Sequence, residues 1–273
     1  MNMHEREGNM KSTKLTLIIF ISLSMILCAS SQKKITEARK KDPQYQYNMG
    51  LLYLNEGNIE EAIRCFNKAI SLNPRYDQAL NSLGLAHMMT AKFQEAVKYF
   101  EKCLEINPAL TETHNYLGVA YQEMGFIDKA EKEFRIALMD EKYKSRDLAY
   151  FNLARLYVIK DRLQEALEYV ERALGINSRN VQALNLKGII YDKLNNFPEA
   201  VNSYMQALRY MPNDVDLNFN LAVAHFKNNQ PLEAKLIFEK IYPQATDPEM
   251  KKKIREYLDI IKQLPRKANG EWR

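Results

Sequence analysis

Between residues 43 and 248 apolar and polar positions follow a helical spacing, and that spacing is itself repeated. Gly50, Gly84 and Gly118 stand 34 residues apart; Ala154, Gly188 and Ala222 are again 34 apart, after one step of 36. Twelve residues beyond each marker comes Ala62, Ala96, Ala130, Ala166, Ala200 and Ala234. Sixteen beyond it come Phe66, Phe100, Phe134, Val170, Tyr204 and Phe238. Nineteen beyond it come Ala69, Cys103, Ala137, Ala173, Ala207 and Ile241, and three beyond it Tyr53, His87, Tyr121, Tyr157, Tyr191 and His225. Each unit therefore reads as two helices joined by a polar turn. Hairpins nest only where small residues let helices cross closely. The ring sixteen positions after the marker is expected to fill the space between hairpins.

The turns carry their own signals. Asn55-Glu56-Gly57 and Glu123-Met124-Gly125 end a first helix at a glycine that accepts positive φ. Asn73-Pro74 and Asn107-Pro108 end a second helix, because a residue before proline resists the α region. This pattern resembles the tetratricopeptide repeat. The resemblance implies an all-α fold, a right-handed superhelical solenoid of six hairpins at 43–76, 77–110, 111–146, 147–180, 181–214 and 215–248. The two extra residues fall within 140–147 and read as a longer turn. From Pro248, apolar Met250, Ile254, Tyr257, Leu258 and Ile261 share one face of a capping helix over 249–263, followed by a tail at 264–273.

The start of the chain has a different pattern. Residues 15–27 (LTLIIFISLSMIL) are uncharged, preceded by Lys11 and Lys14 and followed by small residues. Thirteen residues of helix rise roughly 20 Å, short of a hydrocarbon core of about 30 Å. Residues 1–31 therefore read as an export signal, with 32–42 as a tether. Met10 offers a start with a conventional basic region. Cys28 resembles the acylated cysteine of bacterial lipoproteins, although Leu27 stands where those signals carry a smaller residue. Ordinary cleavage near Ala29, Ser30 and Ser31 is the other route. Both lead out of the cytoplasm: to an outer-membrane lipoprotein facing the periplasm, or to a soluble periplasmic protein.

Composition adds little to this. The chain is 27% charged and 46% hydrophobic with a net charge of +5, and its basic clusters (Lys33, Lys34, Lys251, Lys252, Lys253) lie near the ends. That placement argues against nucleic acid. Cys65 and Cys103 lack CxxC spacing, and His87, His114 and His225 occupy packing positions. No HExxH, GxSxG or phosphate-binding glycine loop is present. The expectation is no enzyme, no cofactor, no metal and no small-molecule substrate.

In the family that these repeats resemble, the first helix of each hairpin lines a concave groove for a protein partner. The corresponding positions here are Tyr47, Asn48, Leu51, Asn81, Leu85, Asn115, Val119, Phe151, Asn152, Asn185 and Ile189. One row through them reads Leu51, Leu85, Val119, Arg155, Ile189, Val223. Apolar side chains beside asparagine amides suit a guest with apolar side chains and backbone groups to bond. The basic clamp of the chaperone-binding members is replaced by Tyr47, Leu51, Asn81, Glu112 and Asn115. With an export signal, six repeats and a longer turn between Leu117-Gly118 and the stretch 149–157, the chain resembles the type IV pilus biogenesis lipoproteins. That resemblance implies binding of a secretin subunit for pilus assembly. A general envelope adaptor, for instance one scaffolding cell-wall enzymes, is the alternative.

Overall fold

The computed structural model describes residues 39–264; the apolar stretch 15–27, Cys28 and residues 265–273 lie outside them. Among the described residues there are thirteen helices and no strand. The chain divides after Ala109 into two compact units. The first pairs α1 (Pro43–Asn55) with α2 (Ile59–Leu72) and α3 (Asp77–Met89) with α4 (Phe93–Ile106). In the second, α5 (Thr111–Glu123) pairs with α6 (Ile127–Met139), α7 (Arg146–Ile159) with α8 (Leu163–Ile176), and α9 (Val181–Lys193) with α10 (Phe197–Leu208). It ends with α11 (Val215–Lys227), α12 (Pro231–Ile241) and α13 (Pro248–Gln263).

Within each unit the hairpins stack, and the two helices of a hairpin are buried differently. In α3, Ala79, Leu80, Ser82, Leu83, Gly84 and Ala86 are all buried, around most of the circumference. Its partner α4 buries only the stripe Ala96, Phe100 and Cys103. A first helix such as α3 is enclosed by neighbours, whereas α1 buries only Gly50, and the second helices present one apolar stripe inward and a charged face to water.

The aromatic ring fills the space between hairpins as expected, Phe66 packing with Leu83 and Ala86 of the next one, and it also seats against the marker of its own hairpin. A Cβ on Gly50 would lie 2.4 Å from Phe66, one on Gly84 2.5 Å from Phe100, and one on Gly118 2.6 Å from Phe134. Gly188 and Tyr204 repeat the arrangement at 2.5 Å. The glycine is thus the seat of the ring, and the alanine twelve residues on, buried in every repeat, closes the same joint. Repeat four carries Ala154 and Val170 in these positions, a larger residue with a smaller one, both fully buried.

Between the helices of each hairpin one residue adopts the left-handed region: Gly57 and Gly125 at φ 78° and 79°, but also Ala91, Asp161, Asn195 and Asn229 at 55–59°. Three of the second helices end at Asn73, Asn107 and Asn177, which leave the helical region with φ −136°, −138° and −130°. Proline follows only the first two. The shared cause is the asparagine, whose Oδ1 accepts the backbone N–H two residues on, from Arg75, Ala109 and Arg179.

The longer turn after α6 is anchored by Tyr143, buried with Ala137 and Ala149. At the C-terminal end, Asp247 accepts the N–H groups of Glu249 and Met250 and so starts α13. Ile254 and Ile261 are fully buried against Ala222, Ala234, Phe238 and Ile241, and Tyr257 stacks on Phe238 at 5.1 Å. Burying two isoleucines and most of a tyrosine supplies several kcal/mol, on the order of 1.5–3 for each large side chain. The opposite face of α13 carries exposed Lys252, Lys253 and Arg255.

Candidate protein-binding face

The first helices of successive hairpins lie side by side within each unit and form its candidate binding face. In the first unit, Leu51 is exposed and Leu85 half-buried. Tyr47 is partly committed to the core, its ring 6.0 Å from Phe66 and 5.2 Å from Tyr76. Asn48 is exposed and its Oδ1 accepts from Gln44 Nε2 at 3.0 Å. Asn81 is half-buried.

In the second unit the asparagines stand otherwise than the sequence led us to expect. Asn115 and Asn152 are only 3% and 7% exposed, and Asn152 Nδ2 donates to Asn115 Oδ1 at 3.1 Å. Asn220 Nδ2 donates to Asn185 Oδ1 at the same distance. These amides tie α5 to α7 and α9 to α11. A buried amide left unbonded would cost about 1–3 kcal/mol, so each pair satisfies itself across the hairpin boundary. One donor and one acceptor per pair are spent on the protein itself.

Open to a guest on this face is a cleft between α7 and α9, half apolar and half polar in its lining. Phe151, Arg155, Gln182, Asn185, Leu186 and Ile189 line it, and it holds about 340 Å³. Phe151, Asn185 and Ile189 are three of the positions expected from sequence, brought together here; Val119 lies half-buried one hairpin away on α5. Gln182 and Leu186 were missed, and Leu186 is largely buried in the floor. Arg155, the single charge in an apolar row, was the legible signal. Its side chain and that of Glu123 lie 3.6 Å apart.

A second polar cluster, at the α6–α7 junction, is a clamp between hairpins. Glu131 accepts hydrogen bonds from Lys160 Nζ at 2.7 Å, Tyr157 Oη at 2.7 Å and Arg135 Nη2 at 2.9 Å. Burial pushes the Glu131 carboxyl up, but these three donors outweigh it and lower it to about 2. Lys160 also reaches Asp128 at 2.9 Å, and its own pKa is raised by those two carboxylates. Every charge in this cluster has an opposite neighbour, as a structural joint requires.

His114 pairs with Glu133 at 2.6 Å and His225 with Gln230 at 2.8 Å, while His87 stacks on Tyr99 at 5.3 Å. Cys103 is buried and donates to the carbonyl of Asp77. Among the described residues no group of three or more His, Cys, Asp or Glu could hold a metal ion, and no helix is long and apolar enough to cross a membrane.

The comparisons with known proteins fit this geometry. The family model described as "Tetratricopeptide repeat" matches residues 43–76 and 78–110. The model described as "Tetratricopeptide repeat protein 21 C-terminal ARM domain" matches residues 129–262. The TPR repeat-containing protein MJ1428 of Methanocaldococcus jannaschii is 26% identical over 203 residues, 71% of this chain and 31% of its own length. The chain spans less than a third of the length of the curated relatives it matches. Among solved structures, PilF of Pseudomonas aeruginosa superposes with a TM-score of 0.71 at 17% identity, over 80% of this chain and 99% of that one. PilW, described as a widely conserved type IV pilus biogenesis factor, gives 0.74 at 13% identity, over 78% and 98%. At such identities the likeness is one of fold. The hairpins, their shared register and these matches make the chain a tetratricopeptide-repeat protein, an all-α scaffold for protein–protein interaction.

Proposed function

We propose that this protein is a pilotin-like factor of the cell envelope, exported by residues 1–31, that binds a segment of a secretin subunit during type IV pilus assembly. The observation that carries the reading is the face of the first helices, where Leu51 and Leu85 in one unit and Phe151 and Ile189 in the other stay partly exposed. Apolar side chains held open on a rigid helical frame suit an extended guest whose own apolar residues are buried on binding. Support for the pilus role comes from PilF and PilW, whose chains are matched over 99% and 98% of their lengths. Anchoring through a lipid on Cys28 belongs to the same proposal. One acyl chain binds a membrane only marginally, whereas the diacylglycerol of a lipoprotein adds a second chain and a stable hold.

The test is affinity capture from detergent-solubilised envelope with the chain as bait, the retained proteins being identified by mass spectrometry. Recovery of a secretin is expected. Recovery of cell-wall enzymes without a secretin would contradict the pilus reading and favour a general envelope adaptor. Cys28→Ala is expected to move the protein from the membrane to the soluble fraction.

A further inference from the structure

In the second unit, Arg155 is the one charge in the row Val119, Arg155, Ile189, Val223. Three other arginines of this unit are held by carboxylates: Arg135 grips Glu131, Arg162 pairs with Glu165 and Arg172 with Glu168. Arg155 is different. Its carboxylate neighbour Glu123 is 3.6 Å away, beyond hydrogen-bond range, and the two side chains are 39% and 41% exposed. Exposed pairs of this kind contribute little, about 0–1 kcal/mol, so a better acceptor displaces the contact at small cost.

The surroundings of the guanidinium favour such an acceptor. Phe151, Leu186 and Ile189 give the cleft its apolar half, while Gln182 and Asn185 place amides beside it. Apolar neighbours reduce competition from water, and a guanidinium offers a planar fork that matches a carboxylate with two parallel bonds. An apolar guest alone would leave the charge to be desolvated without compensation.

We propose that Arg155 is the specificity-determining residue of this face, reading a carboxylate, an Asp or Glu side chain, on an extended guest whose flanking apolar residues seat on Phe151 and Ile189. The inference rests on the reading of the first-helix face as the binding surface. A guest with an amide or a basic side chain at that point is rejected, because it leaves Arg155 buried and unpaired or opposes it with like charge.

A random nonapeptide display library panned against the purified chain tests this. Peptides selected by the native chain should carry an acid at one fixed place between apolar residues, and replacing that acid by its amide should weaken binding about tenfold at low salt. Selection against Arg155→Leu should lose the acid and keep the apolar residues, and against Arg155→Glu it should enrich Lys or Arg instead. Apolar peptides without a preferred acid, still displaced by Phe151→Asp, would overturn the role of Arg155 and leave the face intact as a binding surface. Selected peptides indifferent to Phe151→Asp would overturn the reading of the face, and this inference with it.

Discussion

The interior of each hairpin and the face of its first helix are built from the same helices and obey different rules. In the interior, Gly84 and Phe100 meet so closely that a single added carbon would lie 2.5 Å from the ring. The same fit recurs in Gly50–Phe66, Gly118–Phe134 and Gly188–Tyr204. On the face, the row Leu51, Leu85, Val119, Arg155, Ile189, Val223 changes size and charge from one hairpin to the next. Packing at constant density leaves the interior few solutions: a glycine under a ring in four hairpins, Ala154 with Val170 in the fourth and Ala222 with Phe238 in the sixth. The face is only partly committed to the protein, with Ile189 and Val223 packed along one side against buried clusters and their remaining surface open, so its residues are less constrained and can vary with the partner. Stability and recognition are thereby separable on one frame.

Substitutions in the two regions should behave accordingly. The largest loss of stability is expected from Gly84→Ala, about 2 kcal/mol in urea denaturation, because the added carbon forces the fully buried Phe100 ring to shift, as the ring in the sixth repeat is placed to do beside Ala222. Combining it with Phe100→Val copies the Ala154–Val170 arrangement of repeat four, and the two changes should be less than additive by about 1 kcal/mol. Strict additivity would mean that the ring is not seated on the glycine.

Glu131→Gln should cost roughly 1 kcal/mol, since the amide oxygen can still accept from Tyr157 and Arg135 while the amide nitrogen that replaces Oε2 no longer accepts from Lys160. Its pH dependence has a definite sign. A carboxyl lowered from 4.5 to about 2 contributes stability above the ordinary range, and that contribution is lost as pH falls from 4.5 towards 2. The urea midpoint of the native chain should therefore approach that of Glu131→Gln on acidification. A constant gap between them across this window would contradict the clamp. The smallest effect is expected at Ala91, exposed in a turn at φ 55°; Ala91→Gly should stabilise by about 0.5 kcal/mol, as the left-handed region costs an L residue more than it costs glycine.

How legible these regions are from sequence follows the same division. Gly50, Ala62, Phe66 and Ala69 recur because one steric problem recurs, so the hairpin could be read from residue spacing. The ring's seat inside its own hairpin could not, since spacing along the chain does not say which helix a side chain meets. The turns were half legible: glycine announces Gly57 and Gly125, and Asn195 and Asn229 tolerate the same backbone, but nothing marks Ala91. On the face, sequence placed Asn115 and Asn152 among the groups offered to a guest. Their pairing depends on the offset between neighbouring hairpins, which no single repeat encodes. Tyr143 was illegible for the same reason, because its burial is a property of the longer turn and not of the period.

The central claim, that recognition resides on the first-helix face independently of the packed interior, is tested most directly by the double variant Phe151→Glu with Arg155→Glu, two side chains that line the cleft. Its capture of envelope proteins is compared with that of the native chain at matched helicity and urea midpoint. The account predicts that the partner retained by the native chain is lost from the variant while both fold equally well. Retention of the same partner by a folded variant would contradict it and move recognition to another surface.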